Sequence, residues 1–349
     1  MTAAIHPARE TEADAPSAAE RWQHLLGGGW IFILLLALIA IFAVLRPAQF
    51  GSSYNLSMLA VNAAILLVLS VGQTFVIIAA GIDLSVGTVL VFASITSALV
   101  MLHLSGASGS TYGTTSGGWG VVLAGLVVAL LSGAFWGAVN GVLVAVARIP
   151  ALIVTLGTFG MALGFAQIMT NGTDVRAVPE TLVDRIGAGT LAGIPVLVLI
   201  AVATAALGGV VLHLTRFGVH VFAVGSNEEA ARRSGIDVRA RLIAIYTLSG
   251  TLAGVAAMMS TARFATTTIG GHAMDNLATI SAVVLGGTSL FGGIGSIAGT
   301  VVGVFIPIVL LNGFVILGIP PFWQTVATGA VLVLAVWIDQ LKRRARERG

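Results

Sequence analysis

Residues 56–80 read LSMLAVNAAILLVLSVGQTFVIIAA, and this stretch decides the class of fold because it contains no charged side chain. A helix needs about 20 apolar residues to cross the hydrocarbon core of a bilayer, so the stretch is long enough to span it. Similar runs recur along the whole chain of 349 residues, which is 57% hydrophobic and 9% charged. Soluble domains carry about 25% charged residues, and a transmembrane β-barrel would show alternating segments of about ten residues. The sequence therefore predicts an all-α polytopic membrane protein.

About ten apolar segments have the length of a membrane span. Their approximate bounds are 30–46, 56–80, 84–104, 119–147, 152–170, 191–213, 241–262, 277–291, 295–317 and 322–339. The segment at 277–291 is short and flanked by glycine, so a re-entrant or broken helix is the alternative to a full crossing there. The segments predict one transmembrane domain over 30–340. It lies between a polar tail at 1–29, which we expect to be disordered, and a basic tail at 341–349.

The distribution of basic residues predicts the orientation of the chain. With both termini in the cytoplasm, thirteen of the 17 lysines and arginines face inward, in agreement with the positive-inside rule. The four that face outward are Arg46, Arg176, Arg185 and Arg263. The net charge of +3 could also suggest nucleic acid binding. Because the inward bias accounts for the basic residues, we expect contact with the lipid bilayer and none with nucleic acid.

Several kinds of chemistry have no residues to support them. The only lysine, Lys342, follows Leu341, so the chain has no phosphate-binding Gly-Lys loop. It has no cysteine, and no cluster of histidines and carboxylates has the spacing of a metal site. No Ser/His/Asp set is evident, so we expect no catalytic residue, no metal and no cofactor. The sequence predicts a membrane pathway whose energy is supplied by another protein.

Carboxylates are nearly absent from the predicted spans. Asp83 and Asp339 lie at span edges, whereas a proton- or sodium-coupled carrier usually places ionisable groups at mid-membrane. This scarcity argues against a carrier. A secondary carrier or facilitator that works alone is still kept as an alternative.

One short polar segment stands out between two apolar spans and reads SNEEAARRSG at 226–235. Ser226 and Glu229 have the spacing of a capping box, the acidic and basic residues complement the helix dipole, and Gly235 can end the helix. A helix of this length is roughly 12 Å long. The residues that we expect to contact a soluble partner are Ser226, Asn227, Glu228, Glu229, Ala230, Ala231, Arg232, Arg233 and Gly235. The alternative is a solvated loop helix without a partner.

Glycines recur at four-residue spacing inside several spans, which permits close approach of helices in lipid. The two longest series are Gly133, Gly137 and Gly141, and Gly295, Gly299 and Gly303. Two further pairs are Gly160 with Gly164, and Gly250 with Gly254. We expect these glycines to pack helices within a tight bundle, with dimerisation as the alternative.

Four stretches of the chain resemble the permease subunits of ribose-type ABC importers, which import monosaccharides. They are GIDLSVG at 81–87, IPALIVTLGT at 149–158 with TNG at 170–172, AVGSNEEAARRSGI at 223–236, and VVLGGTSLFGG at 283–293. The resemblance covers roughly residues 55–340. One position departs from the family pattern, because Asn276 stands where an acidic residue is common and Asp275 comes one residue early.

The resemblance implies a complete transport machine in a bacterial-type cytoplasmic (inner) membrane. A second copy of the permease would complete the pathway, and cytoplasmic ABC ATPase subunits would receive the helix at 226–235. An extracytoplasmic sugar-binding protein would deliver ribose, xylose or a similar sugar. The same machine for another small polar solute, such as an amino acid, is the alternative cargo.

A neutral sugar requires amides or hydroxyls along its path. The candidates inside the spans are Asn62, Gln73, Asn140 and Asn312. Asn62 and Gln73 are about three helical turns apart and so share a helix face. The alternative role of each amide is a hydrogen bond between helices.

Overall fold

The computed structural model describes residues 30–107, 113–272 and 275–320, together with scattered residues between 322 and 340. The tails predicted at 1–29 and 341–349 lie outside the described residues, as do seven of the 18 residues of the span predicted at 322–339. The helices are α1 (Trp30–Leu45), α2 (Pro47–Phe50), α3 (Ser53–Ile78), α4 (Val86–Leu104), α5 (Trp119–Ala145), α6 (Ala151–Thr170), α7 (Glu180–Leu182), α8 (Val196–Leu214), α9 (Arg216–Ser226), α10 (Glu228–Arg233), α11 (Val238–Phe264), α12 (Asp275–Leu285) and α13 (Ile297–Ile316). A π-helical turn at Val183–Gly187 follows α7.

The all-α polytopic fold expected from the sequence is confirmed. In the part of the chain that the structure describes, 7 helices are long and apolar enough to cross a membrane, namely α3, α4, α5, α6, α8, α11 and α13. Two shorter apolar helices lie at Ile31–Leu45 and Asp275–Leu285. The described connections contain four short strands, with β1 (Gly113–Thr115) parallel to β2 (Ala177–Pro179) and β3 (Thr190–Leu191) antiparallel to β4 (Ile194–Pro195).

The segment predicted at 277–291 forms only α12, which has 11 residues. At 1.5 Å per residue this helix is about 16 Å long, roughly half the thickness of a bilayer core. It ends before Gly286 and Gly287, and Gly287 has a φ of +90° that favours glycine. The chain therefore has a half-length helix here. This agrees with the re-entrant or broken helix that the sequence offered as the alternative to a full crossing.

Helix α3 is at the centre of the bundle. In its most apolar window 94% of the residues are buried, against 28% in the corresponding windows of α6 and α8. Polar side chains on α3, such as Ser70, Gln73 and Thr74, are therefore enclosed by other helices.

Glycines bring the backbones of α5 and α11 into direct contact. A Cβ added to Gly133 would collide with the carbonyl oxygen of Gly250, and one added to Gly137 would collide with that of Tyr246. At Gly141 the added Cβ would stand 2.7 Å from the Cα of Ile243. Side chains at these positions would force the two helices apart.

The second series packs α12 and the loop after it against α13. A Cβ added to Gly299 would overlap the carbonyl oxygen of Gly286, and a Cβ added to Gly303 would overlap the carbonyl oxygen of Ala282. A Cβ added to Gly295 would stand 2.7 Å from Thr288 Oγ1. Gly160 and Gly164 on α6 behave differently, since no described residue lies within 4 Å of an added Cβ. Among the described residues, therefore, neither glycine brings a second helix close, and their packing role stays a prediction.

Candidate functional site

The polar segment after α9 forms a shorter helix than the sequence suggested. Helix α10 has 6 residues, and at 1.5 Å per residue it is about 9 Å long. Its N-cap is Asn227, whose Oδ1 accepts a hydrogen bond of 2.9 Å from the N–H of Ala230. The predicted capping box of Ser226 and Glu229 is wrong, because Ser226 is still the last helical residue of α9.

The charged side chains of α10 pair along the helix. Arg232 lies 2.6 Å from Glu228 and Arg233 lies 3.1 Å from Glu229, both at i,i+4 spacing. Such exposed pairs stabilise a helix by only about 0.2–0.5 kcal/mol each. Gly235 ends the segment with a φ of +84°, as expected for a glycine stop.

The two alanines of α10 face opposite environments. Ala231 is 4% exposed and packs with Val224 and Val238, whereas Ala230 is exposed. Ala231 therefore attaches α10 to its own bundle. The surface available to another molecule carries Asn227, Ala230 and the charged residues.

A cavity of about 530 Å³ opens beside α10. Its wall includes the turn after α3, the connection between α5 and α6, and the start of α11. Arg148, Arg232 and Arg239 line it together with one acidic residue, Glu228. The cavity is therefore net positive.

Helix α10 and the cavity beside it meet the bundle at the end of α3. A Cβ on Gly225 would collide with the carbonyl oxygen of Ile78, and the same oxygen accepts a 2.8 Å hydrogen bond from the N–H of Gly293. A Cβ on Gly293 would in turn stand 3.1 Å from the Cα of Ser226. The residues before α10, the glycine-rich loop before α13 and the end of α3 thus form one continuous contact.

A buried polar network follows directly in the turn between α3 and α4. The Asp83 Oδ1 accepts hydrogen bonds from the N–H and the hydroxyl of Ser85 at 2.9 and 2.6 Å, and Oδ2 accepts one from Ser249 at 3.4 Å. Burial raises the pKa of Asp83, and the hydrogen bonds from Ser85 and Ser249 lower it by less. This turn therefore stabilises the neutral carboxyl form of Asp83 relative to the unfolded chain.

The network extends to four other helices. Asn140 of α5 donates to the Ser85 hydroxyl at 2.9 Å and accepts from Thr158 of α6 at 2.7 Å. Asn276 of α12 donates to the Leu84 carbonyl at 3.0 Å, and Ser249 belongs to α11. Asn276, the residue that departs from the family pattern, therefore attaches the half-length helix to this turn.

The four amides predicted to line a sugar path are not brought together. Asn140 is fully buried in the network, and Asn312 exchanges two hydrogen bonds with Asn55, of 3.2 and 2.8 Å, between α13 and α3. Gln73 is fully buried, and neither its Nε2 nor its Oε1 has a partner among the described residues. Asn62 is exposed and accepts a 2.8 Å hydrogen bond from Arg263.

A further polar cluster was missed by sequence reasoning. Ser260 Oγ lies 2.6 Å from His272 Nε2, and His272 Nδ1 lies 2.7 Å from Asp275 Oδ2. The sequence showed no Ser/His/Asp set, but the structure brings Ser260, His272 and Asp275 within hydrogen-bond distance of one another in a chain. Ser260 is only 2% exposed, so it has no room to attack a substrate. The sequence gives little signal for the cluster because it forms only when the connection after α11 folds back.

Comparison with known proteins gives the family. The family described as branched-chain amino acid transport system / permease component matches residues 55–336. The chain belongs to this permease family. Together with the ribose import permeases that the chain also matches, this match confirms the resemblance to ribose-type ABC importer permeases. This permease is a multi-pass component of a transporter in the inner membrane. No solved structure matches the chain.

Curated relatives are similar over nearly their full length. The ribose import permease of Escherichia coli is 35% identical over 315 residues, which cover 89% of this chain and 93% of the relative. The fructose import permease of Rhizobium meliloti is 34% identical, covering 90% and 85%. The xylose transport system permease of Escherichia coli is 31% identical, covering 90% and 92%.

Proposed function

We propose that this permease forms the transmembrane pathway of an ABC importer for a monosaccharide such as ribose or xylose. The observation that carries the proposal is its similarity, over 89–90% of its length, to import permeases named for ribose, fructose and xylose. An amino acid is the second candidate cargo, because the description of the matching family names branched-chain amino acids.

The partners follow from the proposed machine. Two copies of the permease form the pathway, and ABC ATPase subunits supply the energy, since the chain's single lysine lies in no phosphate-binding loop. A sugar-binding protein delivers the cargo on the outer side, and both termini lie in the cytoplasm.

The ATPase contact is proposed at α10 and the cavity beside it. Exposed Asn227, Glu228 and Ala230 present one surface, and the three arginines of the cavity suit an acidic segment of the partner. A shift of α10 would be transmitted through Gly225 and Gly293 to Ile78 at the end of α3. From there it would reach the Asp83 turn and the four helices bonded to it.

Uptake by a reconstituted complex tests the proposal. Proteoliposomes that contain this permease, its ATPase and its binding protein are expected to accumulate ribose, xylose or fructose only with internal ATP. A facilitator would equilibrate the sugar without ATP or partners, and accumulation of leucine in place of all three sugars would favour the second cargo.

A further inference from the structure

A small pocket lies at the end of the bundle opposite α10. Helix α11 starts close to α10 and has 27 residues, about 40 Å, so its far end lies across the membrane. The pocket of about 190 Å³ opens there, where α3, α11, α12 and α13 meet. In the orientation proposed above, it faces outward. We name it the outer pocket, lined by Asn62, Arg263, Phe264, His272, Asp275 and Ala278.

The polar groups of the outer pocket form one connected set. Arg263 donates to Asn62 at 2.8 Å and lies 5.6 Å from the centre of the Phe264 ring. The Phe264 ring lies 6.2 Å from that of His272, which contacts Asp275 at 2.7 Å. Phe264 is 47% exposed, so part of its apolar surface is free to contact a ligand.

Hydrogen-bonding capacity remains in this set. The Nε of Arg263 is buried without a partner among the described residues, and a buried donor left unpaired is costly. Each carboxylate oxygen of Asp275 has two acceptor positions, and His272 is its only side-chain contact in the described part of the chain. Asp275 faces the pocket, whereas the next residue, Asn276, points to Leu84.

These groups match the chemistry of a neutral sugar. The charges of Arg263 and Asp275 balance, so the pocket suits a neutral ligand. The Asp275 carboxylate can accept hydrogen bonds from sugar hydroxyls, and the Arg263 guanidinium can donate hydrogen bonds to them. The exposed aromatic surface suits the C–H face of a sugar ring. A catalytic role for Ser260, His272 and Asp275 does not fit, because Ser260 is buried.

We infer that the outer pocket is the receiving site at which a monosaccharide first contacts this permease. The inference rests on the proposed function and assigns Arg263, Phe264, His272 and Asp275, with Asn62, as sugar contacts. The apolar wall from α3 and α13 keeps the pocket small, so it suits one sugar ring.

The absence of native cysteine permits a direct test. In the reconstituted complex, Ala278→Cys on α12 and Leu311→Cys on α13, which both line the outer pocket, are labelled with an impermeant maleimide. Ribose, xylose and fructose are added in turn, with leucine as the competing cargo. The transported sugar is expected to slow labelling at both sites in a dose-dependent way. Leu191→Cys, on the exposed β3, is the control and should label at an unchanged rate.

A second variant links protection to the named contacts. Asp275→Asn is expected to raise the half-protecting sugar concentration about ten-fold, because hydrogen bonds to a charged acceptor are lost. Uptake measured in the same preparations separates the two proposals. ATP-dependent sugar uptake without protection at either cysteine would overturn the outer pocket alone. Protection by leucine and by no sugar would overturn the sugar assignment, and absence of both sugar uptake and protection would overturn the proposed function as well.

Discussion

At the scale of single residues, Asp83 is a buried carboxyl group that is held by hydroxyl and backbone donors and has no ion pair among the described residues. Burial raises its pKa above the ordinary 3.8. The native state therefore binds the proton more tightly than the unfolded state. The resulting stabilisation is fully present below pH 3.8 and is lost as the pH rises through the raised pKa.

Replacement of this acid should remove that pH dependence. Asp83→Asn keeps an oxygen that accepts from Ser85 but cannot ionise. The melting temperature of the detergent-solubilised wild type is expected to fall, relative to Asp83→Asn, as the pH is raised from about 4 toward neutrality. A constant difference across this range would show that Asp83 ionises with an ordinary pKa.

Two buried amides should respond differently to the same change. Gln73 has no hydrogen-bond partner among the described residues, so Gln73→Leu removes an unsatisfied group and should not lower the melting temperature. Asn140 bonds to Ser85 and Thr158, so Asn140→Leu removes both hydrogen bonds between helices and should cost about 1–3 kcal/mol. Thermal melts of both variants beside their sugar uptake provide the check. Loss of uptake in Gln73→Leu at unchanged stability would place Gln73 on the path, and a large loss of stability there would contradict our account of its environment.

At the scale of elements, the contact between α5 and α11 depends on glycine. Gly133→Ala introduces a methyl group where the Gly250 carbonyl lies, and overpacking of this kind costs typically 1–3 kcal/mol. Gly160→Ala on α6 is the matched control, because no described residue lies within 4 Å of its added Cβ. We expect a lower melting temperature in the first variant and little change in the second. Equal effects would show that helix propensity, and not packing, controls both.

Helix α10 offers a second matched pair. Ala230 is exposed, so Ala230→Glu should leave the fold intact but reduce ATPase binding and substrate-stimulated ATP hydrolysis. Ala231 is buried against Val224 and Val238, so Ala231→Glu should lower stability itself, by several kcal/mol if the charge stays buried. Pull-down of the ATPase and thermal melts distinguish the two. Normal binding and hydrolysis in Ala230→Glu would make α10 a solvated helix without a partner.

The elements also show which features a sequence can predict. Long apolar runs gave the positions of α3 to α6, α8, α11 and α13 within a few residues, since length and hydropathy are local properties. The sequence predicts Ser226 as the cap of α10, but the structure uses Asn227. Ser and Asn are both good caps, and the local sequence does not say at which of them α9 ends. The end of α9 depends on the contact between Gly225 and Ile78, which is tertiary. The cluster of Ser260, His272 and Asp275 could not be predicted either, because it also depends on tertiary contacts.

At the scale of the whole molecule, the two candidate sites lie at opposite ends of the bundle. The cavity beside α10 is net positive and includes the turn after α3, whereas the outer pocket contains the far end of α11. Helix α3 connects the two sites, because Asn62 lines the outer pocket and Ile78 is the last residue of the helix, next to the turn that lines the cavity beside α10. In the orientation proposed above, α3 would carry a movement from its end near α10 to the outer pocket, and this is the coupling that we propose for an ATP-driven importer.

This arrangement works only if α10 is cytoplasmic and the outer pocket is external. Single cysteines at Leu191 and Ser234, both exposed, test the orientation in intact cells with an impermeant thiol reagent. Leu191→Cys is preferable to Thr115→Cys in β1, because Thr115 is buried and a cysteine there would react poorly with the reagent. We expect Leu191→Cys to react and Ser234→Cys to react only after the cells are opened. The parent chain has no cysteine and so provides an unlabelled background. The opposite pattern would place α10 outside, where no ATPase could reach it, and would overturn both the coupling role and the direction of transport.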